Sequence, residues 1–199
     1  MSVGAGGWAG DQARGEVLLR LARAALCEEL MGDDGISDSV EHRTWLDPPW
    51  LDEPGATFVT LRAGSELRGC IGTLEATRPL VEDVRANAVA SATRDPRFAP
   101  VTAQELPALT IEVSLLGTPS PLHVASEDEA LRALRPGIDG VVLRYGARRA
   151  TFLPQVWDQL PSPRDFLLQL KRKAGLADDF WHAEIECSRY RVEKWSEAE

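Results

Sequence analysis

Residues Leu67–Gly72 read LRGCIG: a thiol between two glycines, with an arginine two places before it. A thiolate is a nucleophile, and a cation nearby raises the thiolate fraction of a cysteine. If residues 67–74 form a strand, alternation puts Arg68, Cys70, Gly72 and Leu74 on one face, and Leu67, Gly69, Ile71 and Thr73 on the other. Arg68 and Cys70 then stand about 7 Å apart along the strand. Ile71 and Leu67 turn toward a core, Gly72 leaves room beside the thiol, and Gly69 marks a bulge. The pattern fits an activated thiol. It also fits a cysteine used as a small apolar filler, with glycines that let a helix pack closely. Residue types alone leave both readings open.

Other polar residues could join Cys70. Glu112 is the single charge within the apolar run LTIEVSLL, placed to meet Arg68 across strands, with Ser114 on the same face. Arg97 follows a proline turn directly after a helix, and Arg94 and Asp95 adjoin it. Gln155 follows Pro154 in FLPQVW, where a fixed turn aims its amide. An array of Arg68, Cys70, Glu112, Arg97 and Gln155, with backbone access at Gly69 and Gly72, suits a small anionic or polar ligand. Each member also has a structural use: Arg68 with Glu112 as an ion pair, Arg97 on helix-terminal carbonyls, Gln155 as a loop tie.

Several chemistries are disfavoured. The three histidines, His42, His123 and His182, lie outside these motifs, so no histidine base is evident for a Cys–His enzyme. No CxxC, HxxxH or HExxH spacing occurs, and no metal site or cofactor is expected. No Walker loop or nucleophile elbow is present. GAGGWAG near the N-terminus lacks a preceding strand and dinucleotide-loop spacing. The six tryptophans are scattered rather than interleaved with arginine clusters. The short basic run LKRKAG suits a helix C-terminus.

These residues need elements to hold them. The spacing predicts a helix from Asp11, closed by Gly32 and Gly35, after a flexible tail over residues 1–10. Residues 36–56, with Trp45 and Trp50, read as a long loop whose tryptophans want burial. TFVTLRAGSELRGCIGTL reads as a β-hairpin, followed by a helix opened by Pro79 and ended at Asp95-Pro96. LTIEVSLL is a strand, PLHV a short strand, and SEDEALRAL a helix with a Ser126–Glu129 capping box. GIDGVVLRYGARRATFLP is a second hairpin, SPRDFLLQLKRKAGL an amphipathic helix, and HAEIECSRYRVEKW a final strand. Hairpins outnumber βαβ units, so the expected class is α+β with a mainly antiparallel sheet and flanking helices.

The chain of 199 residues suits one domain, here 11–199, in two unequal lobes. Its net charge of −9 argues against nucleic acid as the main partner. Three widely spaced cysteines suggest a reducing, cytoplasmic compartment. No apolar run reaches the roughly 20 residues of a membrane span.

The stretch FVTLRAGSELRGCIGTLEATRPLVEDVRANAVASATRDPRF resembles the AMME syndrome candidate protein family, called AmmeMemoRadiSam system protein A in bacteria and archaea. The likeness continues through DPRF, LTIEVSLL, GIDGVVL and TFLPQVW, in order, over roughly residues 12–195. It implies a larger lobe with an antiparallel sheet and flanking helices, and a smaller lobe. It implies no particular reaction. Family members occur beside, or fused to, a Memo-like protein and a radical S-adenosylmethionine protein. The resemblance therefore implies an accessory or partner subunit of such a pathway. An enzyme with Cys70 as its thiol is the alternative, and nucleic-acid binding the third reading.

Overall fold

The computed structural model describes residues 7–32 and 48–198. The chain divides into two compact units, residues 1–115 with 193–199 and residues 116–192. Trp45 and residues 1–6 of the expected tail lie outside the described residues.

The first unit begins with helix α1, Gly7–Met31, which starts four residues before the expected Asp11 cap. A 3-10 turn at Pro49–Leu51 leads to the two-residue strand β1, Pro54–Gly55. Hairpin strands β2, Thr57–Ala63, and β3, Glu66–Gly72, follow. β4, Arg78–Pro79, pairs with β1. Helix α2 spans Leu80–Thr93 and strand β5 Leu109–Leu116. The last strand, β10 at Val192–Ser196, completes a sheet ordered β10-β5-β2-β3, so β3 is an edge.

One face of that sheet is apolar because β-branched and aliphatic residues recur at every second position. Val59 and Leu61 of β2 and Ile111 and Val113 of β5 are fully buried there. Leu18, Ala22 and Leu26 of α1, and Val84 and Ala88 of α2, close over them. Burying a Val, Leu or Ile side chain contributes about 1.5–3 kcal/mol.

The hairpin register contains one extra residue. The two-residue turn pairs Ala63 with Glu66 and Arg62 with Leu67, but Leu61 then pairs with Gly69. Arg68 is the bulged residue. Without it, the register would set Cys70 opposite Val59 on the buried face. With it, Cys70 opposes Thr60. The turn sets Leu67 opposite Arg62, and the bulge breaks the alternation between Leu67 and Gly69, so Leu67 is exposed rather than turned to the core as alternation predicts.

The second unit holds β6 at Ser120–Leu122, α3 at Glu127–Ala133, β7 at Gly140–Tyr145, β8 at Arg148–Phe152, α4 at Pro163–Lys173 and β9 at Glu186–Tyr190. Its sheet runs β6-β9-β7-β8, all antiparallel. Ser126 caps α3 as expected, and the Glu129 carboxylate reaches back to the Ala125 amide. Trp157 stacks on Phe166 at 3.7 Å and donates its indole N–H to the Asp139 carbonyl. The expected final strand is two, β9 and β10. The architecture is α+β with antiparallel sheets.

Candidate functional site

Cys70 sits on the edge strand β3, where alternate N–H and C=O groups lack a neighbouring strand. The turn after α2 supplies the missing partners. Pro96 stops the helix, and Asp95 begins a tight turn in which its carbonyl accepts from the Phe98 amide and its Oδ1 from the Arg97 amide. Oδ2 of Asp95 then accepts the Cys70 N–H at 2.8 Å. Arg97 grips the same carboxylate with Nε at 2.9 Å and Nη2 at 2.6 Å, and Nη2 also donates to the Cys70 carbonyl at 3.3 Å. The pair thus completes both backbone groups of Cys70, as a neighbouring strand would.

The carboxylate is buried while the guanidinium is half exposed, at 2% and 52% of their side-chain surfaces. Asp95 is held well below the usual carboxylate range by the Arg97 hydrogen bonds, which with the Cys70 and Arg97 amides outweigh the opposing effect of burial. The Arg97 guanidinium is raised in turn, first by its bonds to Asp95, with added attraction from the Asp95 charge.

On the sheet face away from α1 and α2, Cys70, Thr60 and Glu112 form a row across β3, β2 and β5. The Thr60 hydroxyl donates to the Cys70 sulfur at 3.3 Å. Cys70 itself is half-buried. Glu112 does not meet Arg68. It binds Arg62 at 3.0 Å and Lys194 at 2.7 Å. Burial alone would raise its pKa, but Lys194 and then Arg62 bring it below the ordinary value.

Arg68 is occupied elsewhere. Bulged out of register, it donates to Glu105 at 2.9 Å and to the carbonyls of Ala99 at 2.8 Å and Pro100 at 3.3 Å. Glu105 is lowered to about 2, chiefly by Arg68 and then by the amide and hydroxyl of Thr102. Arg68 is therefore a strut between β3 and the 99–105 loop. The cation fixed on Cys70 is Arg97.

The two glycines answer to packing. A Cβ at Gly69 would land on the Ser91 carbonyl oxygen of α2. Ser91 needs that proximity, because its hydroxyl lies between β2 and β3. It accepts the Ile71 amide at 2.9 Å and reaches the carbonyls of Val59 and Asn87, each at 2.7 Å. A Cβ at Gly72 would strike the Phe58 ring and the Thr57 carbonyl. The room expected beside the thiol at Gly72 is filled by Phe58. Next to it, buried Asp83 accepts from the Thr57 amide and hydroxyl, from Thr73, Arg78 and Asn87, tying both hairpin strands to the start of α2.

The structure thus gathers Cys70, Arg97 and Glu112 in the first unit. Gln155 is exposed in the second unit, in the 3-10 turn Pro154–Asp158. Asp95, Thr60, Ser91 and Glu105 are the members that residue reading missed. Thr60 emerges only once the bulge is counted. Asp95 was adjacent to a chosen residue, and a buried Asp before Pro at a helix end was the available signal. Among the described residues no three or more of His, Cys, Asp and Glu gather as metal ligands do. Cys187 is buried, which pushes its thiol up to about 11.

Known proteins share this architecture. The uncharacterised protein PH0010 of Pyrococcus horikoshii has a crystal structure that matches with a TM-score of 0.71 and 34% identity, over 92% of this chain and 91% of that one. A protein of Thermofilum pendens is 38% identical over 195 residues, covering 90% of this chain and 87% of its own length. Protein MJ0810 of Methanocaldococcus jannaschii is 35% identical over 193 residues, with 93% and 90% covered. The family model described as AMMECR1 matches residues 19–195, so the chain belongs to the AMMECR1 family.

Proposed function

We propose that the sheet face at Cys70 binds a small anionic molecule, with Arg97 as the charge that attracts it and Cys70 as the thiol that meets it. One observation carries this reading. The Arg97 side chain is fixed by Asp95 against the Cys70 backbone, yet half of its surface faces solvent. A guanidinium saturated at Nε and Nη2 retains Nη1 for a ligand. The Thr60 hydroxyl donates to the sulfur and helps to hold it in place. A cytoplasmic, reducing setting would keep Cys70 available.

Two alkylating probes of opposite character test this. Iodoacetate is anionic and iodoacetamide neutral. Both place a carbon on sulfur and release iodide. Site-resolved mass spectrometry should show iodoacetate favoured at folded Cys70 relative to the same cysteine in unfolded chain. Equal preference in both states would overturn the reading.

A second reading makes the chain an accessory subunit that presents this face to a Memo-like protein or a radical S-adenosylmethionine protein. What supports it is the family resemblance together with the polar row of Cys70, Thr60 and Glu112. Co-purification with either purified partner, abolished by Arg97→Glu, would distinguish it. Nucleic acid is the third reading. The second unit has eleven basic and ten acidic residues, whereas the first has eleven and twenty-one, so the first unit as a whole carries the negative charge. Summed over the unit it repels a long phosphate backbone, while a small anion need meet only Arg97.

A further inference from the structure

Outside the Cys70 face, the first unit carries a groove of about 510 Å³ between α1 and α2. Its floor is Ala25, Val81, Ala86 and Val89. Glu28, Glu29, Glu82, Arg85 and Arg94 form the rim. Glu28 and Arg85 pair with one another across it. The rim's three acids and two bases nearly cancel, in a unit whose formal charge is −10. Like-charged copies therefore repel less through this face than the charge of the whole unit would imply.

Of the three that remain, Glu29 is on α1, and Glu82 and Arg94 are ordered along α2. Glu82 stands in its first turn and Arg94 is its C-cap. Twelve residues separate them, about 18 Å along the axis. Ala86 and Ala90 lie between them, Ala86 exposed and Ala90 half-buried. Such an arrangement complements itself under a two-fold axis. If α2 lies antiparallel against α2 of a second copy, centred at Ala88, each Glu82 faces the other copy's Arg94, and each Ala86 faces an Ala90. The small side chains allow the axes to approach to about 8 Å. A two-fold interface makes every such contact twice.

We propose that this α1–α2 face is a self-association surface whose occupant is a second copy of the chain, held by paired Glu82–Arg94 contacts around alanines. The face is limited to two helix flanks, at the low end of interface sizes, so the dimer is weak and forms with rising concentration. The idea is independent of the Cys70 reading.

Sedimentation of the full chain over a wide concentration range tests it. The wild type should pass from monomer to dimer. Glu82→Arg alone, or Arg94→Glu alone, makes two like-charge contacts and should weaken dimerisation about tenfold or more. The double variant Glu82→Arg/Arg94→Glu restores opposite pairs and should recover it. Both single changes oppose the α2 dipole and could unsettle the helix. Ala86→Arg provides the control. It sits on an exposed helical position with little propensity cost, and should give a monomer with wild-type melting. A wild type that stays monomeric throughout overturns the proposal. So does a dimer indifferent to the single variants or to Ala86→Arg, or one that the double variant fails to restore.

Discussion

The amide of Cys70 donates to Oδ2 of Asp95 at 2.8 Å, and through that bond the end of α2 closes the free edge of β3. Arg97 completes the closure by donating to the Cys70 carbonyl from the same turn. Because the carboxylate is buried and charged, losing its partner leaves an uncompensated buried charge.

Asp95→Asn removes the charge but keeps the shape. It should weaken the grip on Arg97 and cost about 1–3 kcal/mol, since hydrogen bonds to charged groups contribute about that much. Denaturant unfolding measures the loss. Iodoacetate selectivity at Cys70 should fall with it, because Arg97 is no longer held.

Gly69→Ala should be destabilising by about 1–3 kcal/mol, the usual cost of forcing a methyl group into a packed site. Here the obstacle is the Ser91 carbonyl, which is backbone and cannot swing away. A midpoint unchanged in denaturant would contradict the close approach of α2 to β3.

Ser91→Ala leaves the Ile71 amide and the Val59 carbonyl without the hydroxyl between them. Leaving such groups unsatisfied costs about 1–3 kcal/mol. Hydrogen exchange should show the loss locally, with the Ile71 amide losing protection before amides of β5.

Acid should act on the strut. The Glu105 carboxyl titrates at about 2 in the folded chain against an ordinary 4.5. Its folded value is depressed, so its contribution is complete above about 4.5 and is lost as pH falls toward 2. Glu105→Gln should be less stable than wild type at neutral pH, by a modest amount because the carboxylate is partly exposed to solvent. Thermal midpoints of the two proteins should converge through that window.

Much of the fold was legible because its signals are local. The hairpin, the β5 alternation and the α3 capping box each follow from a few adjacent residues. The site was less legible for a physical reason. Cys70 was recognised, and so was the possibility of a bulge at Gly69, but the cation was assigned to Arg68 by strand alternation. One extra residue in β3 invalidates alternation on the turn side of the bulge, and it frees Arg68 to reach Glu105. The role of Asp95 depends on where α2 ends relative to an edge strand, a non-local relation that spacing cannot reveal. The two glycines were readable as features but not as causes, since the atoms that exclude a side chain belong to Ser91, Phe58 and Thr57.

We propose that Arg97, and not Arg68, is the charge acting at Cys70. The most direct test is the ratio of iodoacetate to iodoacetamide alkylation rates at Cys70 in the folded wild type, Arg97→Ala and Arg68→Ala, resolved by peptide mass mapping. Buried Cys187, with its thiol pushed up to about 11, should stay unmodified at neutral pH and report that the chain is folded. The ratio should fall about threefold or more in Arg97→Ala and change little in Arg68→Ala. A Cys70 that reacts only when Cys187 does, or a ratio that Arg97→Ala leaves unaltered, would contradict it.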